Sequence, residues 1–137
     1  SLTPPNYEWF FLKANKKSQA VMIIYHPQES RLDQDSIVYI DYLAVAPWNR
    51  NITDKKKQKI FRKPEFKGLG TFMVQKANQF LGRKLKYREG FSLHSLPDAV
   101  PFYQKIGMTN FGPDPLKQSL HYFEMEEKIA REFINGA

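Results

Sequence analysis

The stretch Ser36-Ile37-Val38-Tyr39-Ile40-Asp41-Tyr42-Leu43-Ala44-Val45-Ala46-Pro47 decides how this chain is read. Side chains alternate along a strand, so Ile37, Tyr39, Asp41, Leu43 and Val45 share one face, and Val38, Ile40, Tyr42 and Ala44 the other. Both faces are largely apolar, which is the pattern of a central strand covered on both sides. Pro47 ends it. Upstream, Tyr7 to Leu12 and Ala20 to Tyr25 read as the two strands of a hairpin, with Lys16-Lys17-Ser18-Gln19 as its turn. Pro27 to Gln34 reads as a polar connection.

Downstream, Asn49 to Phe66 reads as a polar loop containing Lys55-Lys56-Lys57-Gln58-Lys59. The segment Lys67-Gly68-Leu69-Gly70-Thr71 then opens a helix, because Leu69, Phe72, Met73, Ala77, Phe80 and Leu81 recur at helical spacing. Phe91 to Leu96 reads as a short strand. Pro97 suits the first turn of a second helix, which runs to Ile106 and is stopped by Gly107. Leu120 to Met125 reads as a late strand and Glu126 to Ile134 as a terminal helix. Met125, Ile129 and Phe133 form a stripe that suits packing on the domain, with a homodimer contact as the alternative. The order β-β-β-α-β-α-β-α argues for an α/β domain with a mixed sheet.

The chain has 137 residues, of which 42% are apolar and 26% charged, so it can bury the core of one domain. No apolar run approaches the roughly 20 residues of a spanning helix. There is no Cys, which removes disulfides, thiolate metal ligands and thiol nucleophiles. His26, His94 and His121 are too scattered for a metal-ligand pattern. Ser1-Leu2-Thr3-Pro4-Pro5 is neither a signal peptide nor a Met start, and the expectation is a cytoplasmic protein with no membrane contact.

Charge is the one lopsided quantity: 21 Lys and Arg against 14 Asp and Glu give +7. Such an excess favours an anionic partner. Its clearest local concentration is the Asn49–Lys67 connection that leads into Gly68 and Gly70. That placement favours a small phosphorylated cofactor over a nucleic acid, although a Lys run also suits a solvated loop. The first N–H groups of a helix lack internal partners and carry partial positive charge, so a glycine-opened helix start suits a phosphate. The segment is not a P-loop, and Met73 stands where a dinucleotide fingerprint has its third glycine.

Three segments lie in a telling order: Asp41-Tyr42-Leu43-Ala44-Val45-Ala46-Pro47, then Lys67-Gly68-Leu69-Gly70, then Ala99-Val100-Pro101-Phe102-Tyr103-Gln104-Lys105-Ile106-Gly107-Met108. Together they resemble the GCN5-related N-acetyltransferase (GNAT) superfamily, which transfers acyl groups from acyl-CoA. The resemblance implies a single domain over residues 1–137. Its sheet would be mixed and mostly antiparallel, splayed between two parallel strands and flanked by helices. Set against the family, the chain would start at the second strand, with the usual N-terminal elements expected to be missing; acetyl-CoA is the implied cosubstrate, with no metal. Backbone groups of Leu43, Ala44 and Val45 would pair with the pantetheine arm, and those of Lys67, Gly68, Leu69, Gly70 and Thr71 would hold the pyrophosphate. Ser95, Phe102 and Lys105 complete the implied cofactor contacts. Tyr103 aligns with the tyrosine that protonates the leaving thiolate, although a packed aromatic would look the same in sequence.

Asp41 is the lone carboxylate of its strand, and burial would raise its pKa and suit it to accept a proton from an ammonium. A purely structural Asp fits as well, and His94 is a competing base. The sequence departs from the family at Glu65 (usually Arg or Gln), at Phe66 (often Gly) and at Leu96 (often Asn, with Ser95 as a neighbouring substitute). The implied activity is direct attack of an amine, from a small molecule or a protein, on acetyl-CoA in a ternary complex. A non-catalytic CoA-binding or nucleic-acid-binding module of the same fold is the alternative.

Overall fold

The structure, a computed structural model, describes residues 6–46, 52–54, 59–62 and 69–135. β1 (Asn6–Ala14) and β2 (Lys17–Glu29) form the expected hairpin, but its turn lies at Asn15-Lys16. Both turn residues have positive φ, 53° and 64°. This mirror-image turn matches the twist of paired strands, and Asn tolerates it well. Lys17 to Gln19 therefore belong to β2, as do Pro27 to Glu29 of the segment read as a connection.

β3 (Ser36–Val45) has the bounds read from the sequence. A hairpin of β4 (Ile52–Asp54) and β5 (Lys59–Arg62) stands inside the segment expected to be loop. α1 (Leu69–Leu85) continues one turn past the expected end at Leu81. β6 (Phe91–Ser95) leads through a 3₁₀ turn (Pro97–Ala99) into α2 (Val100–Lys105). Gly107, at φ 95°, closes that helix in the left-handed region. β7 (Thr109–Asp114) was not expected, and β8 (Leu120–Glu124) and α3 (Glu127–Ile134) were. Phe111 and Gly112 (φ 86°) bulge between the pairs Asn110–Phe123 and Pro113–His121, and the Gly112-Pro113 dipeptide disguises the strand as a loop.

Among the described residues, six strands form one sheet in the order β1-β2-β3-β6-β8-β7. Within it β3 and β6 run parallel, and the other four pairings are antiparallel. One face carries Met22, Ile24, Val38, Ile40, Phe91, Leu93, Phe123 and Met125, packed with Met73, Val74, Ala77 and Leu81 of α1 and Ala130 and Ile134 of α3. Gln75 and Gln79 of α1 donate their side-chain amides to the carbonyls of Phe133 and Ile134, at 2.6 and 2.9 Å, which satisfies open acceptors at the end of α3. Met125, Ile129 and Phe133 pack on this core, so the stripe read from the sequence serves the domain itself.

A buried polar lock holds the other face. Glu124, fully buried, accepts from Ser30 Oγ (2.7 Å), Arg31 N (2.7 Å) and Tyr122 Oη (2.6 Å). Arg88 reaches Ser30 Oγ and the carbonyl of Met125, and pairs with Asp33 at 2.7 Å. These contacts pin the exposed segment 31–35 over β8.

Candidate active site

The site is built on a change of register in β3. Ile24 pairs with Ile40 and Ile23 with Tyr42, so Asp41 is an extra residue opposite no partner. Such a bulge reverses the alternation beyond it. Leu43 and Val45 therefore join Val38 and Ile40 on the helix-covered face, not Ile37 and Tyr39 as strict alternation predicts. The bulge also puts Asp41 and Tyr42 out in solvent. This corrects the expectation of a buried Asp41.

β3 and β6 part at the same place. Their parallel pairing runs Val38–Phe91, Tyr39–Ser92 and Ile40–Leu93, then stops. Asp41 and His94 are the first residues of the two strands beyond the last pair. Ala46 N donates to Gln19 O at 2.9 Å, so alternation turns the backbone of Ala44 toward β2 and that of Leu43 toward the side β6 has left. Gly70, in the first turn of α1, stands against this end of β3. A Cβ on it would lie 3.6 Å from Leu43 Cδ2 and 3.9 Å from Val45 Cγ2. Thr71 follows it, half-buried. Lys67 and Gly68, with Glu65 and Phe66, lie outside the described residues, as does the Lys55–Gln58 run.

Tyr103 enters from α2 on the helix-covered face. Its ring lies 5.6 Å from that of Phe123 and 5.3 Å from that of Phe102. Its hydroxyl has no hydrogen-bond partner among the described residues. Burial pushes the phenol above its ordinary value, so it stays protonated at neutral pH. Phe102 and Lys105 are exposed on α2. Ser95 is buried, and its hydroxyl donates to Leu96 O at 2.8 Å.

The opposite face holds a chain of groups that sequence reading did not assemble. Tyr39 Oη lies 2.7 Å from His94 Nδ1, and His94 Nε2 lies 2.9 Å from Asp114 Oδ2. Arg31 pairs with the same Asp114 oxygen at 3.5 Å, and Leu116 N donates to Asp114 Oδ1 at 3.1 Å. The hydrogen bond from His94, and then that from Leu116, hold the Asp114 carboxyl below the usual range. Burial, and then the charges of Asp41 and Asp114, push Tyr39 up to about 12. Tyr39, Asp41 and His94 line a pocket of about 300 Å³ with Leu116, Lys117, Gln118 and Leu120. Tyr39 and Asp114 were missed. The available signal for Tyr39 was its place two residues before Asp41, while Asp114 lies in the disguised strand β7.

Tyr103, packed on Phe123, and the Asp41 pocket thus lie on opposite faces of the sheet. Among the described residues, no group of three or more His, Asp or Glu is arranged to hold a metal ion, and no helix is long and apolar enough to cross a membrane.

No family model matches the chain, and no curated protein matches it in sequence. Among solved structures it is similar to a CoA-dependent acyl-homoserine lactone synthase, BjaI, determined with SAM and isopentyl-CoA. The TM-score is 0.51 at 8% identity, covering 99% of this chain and 66% of that one. The likeness is one of fold: a mixed, mostly antiparallel sheet with two parallel strands and flanking helices, the architecture that the sequence implied and that an acyl-CoA-using enzyme shares.

Proposed function

We propose that this chain is an acyl-CoA-dependent N-acyltransferase that moves an acetyl group from acetyl-CoA to an amine by direct attack in a ternary complex. The observation that carries this reading is the gap between β3 and β6, with a protonated phenol on one face and a carboxylate-lined pocket on the other. The fold likeness to a CoA-dependent enzyme supports it.

In this reading the pantetheine arm lies in the gap, along the backbone of Leu43 and Val45. The start of α1 (Leu69, Gly70, Thr71) and the preceding Lys67 and Gly68 take the pyrophosphate. Phe102 and Lys105, exposed on α2, and Ser95 border the cofactor. The amine approaches from the Asp41 side, where the carboxylate attracts its ammonium form. Collapse of the tetrahedral adduct expels the CoA thiolate toward Tyr103. Burial weakens the phenol as an acid, and burial of the thiolate beside it would strengthen that base in the same sense, so the pair stays matched for proton transfer.

The test is acetyl-CoA titration by calorimetry, followed by free-thiol release in the presence of amines. Tyr103→Phe should cut turnover about tenfold or more at neutral pH while leaving acetyl-CoA affinity within threefold. Unchanged turnover would remove the acid role. Binding with no thiol release from any amine would favour a CoA-binding module, and no binding would end the acyltransferase reading.

A further inference from the structure

We propose that the pocket bounded by Asp41, Tyr39, His94 and Lys117 is the acceptor site for a small primary amine, and that the amine's proton leaves through Tyr39 to His94, positioned by Asp114. This rests on the acyltransferase reading and names the acceptor class and proton route for that same site.

The direction of the relay follows from its ends. An ionised Asp114 only accepts, so His94 Nε2 carries the hydrogen of the 2.9 Å bond. In the neutral ring, Nδ1 is then unprotonated and accepts from the Tyr39 hydroxyl at 2.7 Å. That leaves the lone pairs of the Tyr39 oxygen for a donor in the pocket. Tyr39 is held neutral by burial and by the two nearby carboxylates, so it passes a proton on without storing one.

An ammonium entering the pocket meets the Asp41 carboxylate and the Tyr39 oxygen. One ammonium N–H bond breaks as an O–H bond forms on Tyr39. The original Tyr39 O–H bond breaks as an N–H bond forms on His94 Nδ1. Tyr39 ends neutral, His94 becomes an imidazolium beside Asp114, and the freed nitrogen pair attacks the thioester carbonyl. Among the described residues, the charged groups around His94 are Asp41 from β3, Asp114 from β7, Arg31 from the segment after β2, and Lys117 from the β7–β8 connection. Tyr39 and Tyr122 pack on its ring. A volume of about 300 Å³ suits an amino acid or a monoamine better than a protein chain.

Two measurements test this. The first is the nitrogen NMR of His94 in the free protein, where the expected tautomer has hydrogen on Nε2 and none on Nδ1. The opposite tautomer would overturn the relay. The second is acetyl-CoA-dependent acylation of a panel of the common L-amino acids and simple alkyl and arylalkyl monoamines, from pH 6 to 10. His94→Gln and Tyr39→Phe should each lower the rate about 100-fold at pH 7, and Asp114→Asn about tenfold, with acetyl-CoA affinity within threefold of the parent. The loss should shrink as pH approaches the amine's own pKa, because free amine needs no acceptor for its proton. Tyr39→Phe keeps the ring and guards against a folding failure at the buried His94. Parent-like rates and pH profiles in folded variants would overturn the relay alone. Acetyl-CoA binding with no panel amine acylated would overturn the small-amine assignment. Failure of the parent protein to bind acetyl-CoA would overturn the acyltransferase reading, and this proposal with it.

Discussion

Gly70→Ala separates the needs of the fold from those of a ligand. A new Cβ would sit 3.6 and 3.9 Å from methyl carbons of Leu43 and Val45, which is ordinary van der Waals contact. Nothing in the fold therefore requires glycine here. Alanine is the better helix former by about 0.5–1 kcal/mol in a helix interior. In the first turn the gain is smaller, and two new methyl contacts add to it. A net stabilisation of roughly 0.5 kcal/mol would raise Tm by about 1–3 °C for a chain of this size. The same Cβ, however, stands in the first turn of α1, where the pyrophosphate of acyl-CoA would approach the backbone in the proposed reading. Its affinity should fall at least tenfold, about 1.4 kcal/mol. Scanning calorimetry gives the first number and isothermal titration with acetyl-CoA the second. A higher Tm with unchanged affinity would refute the close-approach role of Gly70. A lower Tm would refute the packing argument.

Three further outcomes follow from the same physical terms. Glu124→Gln leaves an amide group among three donors and should cost about 1–3 kcal/mol, seen as a lower urea midpoint and faster tryptic cleavage after Arg31; an unchanged midpoint would show that the lock is dispensable. Tyr39 ionises near 12 in the folded chain and near 10 when unfolded, so the unfolded chain loses its proton first. Stability should hold below about pH 10 and fall between about 10 and 12, and Tyr39→Phe should flatten part of that fall. The lowered Asp114 acts at the other end: its contribution is present above the unfolded value of about 4 and lost as pH falls through the folded one. Asp114→Asn should reduce the acid dependence, and an identical acid profile would contradict the pairing with His94.

Much of the fold was legible because its signals are local. The apolar run Ser36–Val45, the helical spacing after Gly70, the Pro97 start and the Gly107 stop each depend on neighbours in sequence. Where the reading failed, a local signal was absent or misleading. Lys17 to Gln19 look polar enough for a turn, but Asn15 and Lys16 are the residues with positive φ. Gly112-Pro113 hides β7 because it reads as a loop signal, while the strand bulges only at Phe111 and Gly112 and pairs again at Pro113.

The candidate site divides in the same way. Tyr103, Gly70 and Asp41 could be named from the sequence because each sits in a recognisable segment. Sequence alone carried most of the order of elements, though not β4, β5 and β7, together with the absence of a thiol and the proposal of an anion site at the start of α1. Tertiary structure alone decided that Asp41 is a bulge in solvent, that β3 and β6 pair only as far as Ile40 and Leu93, and that Tyr39, His94 and Asp114 form a chain. The physical reason is that a bulge and the end of a parallel ladder are set by register between strands far apart in sequence. Residue alternation within one strand carries no record of where its partner departs.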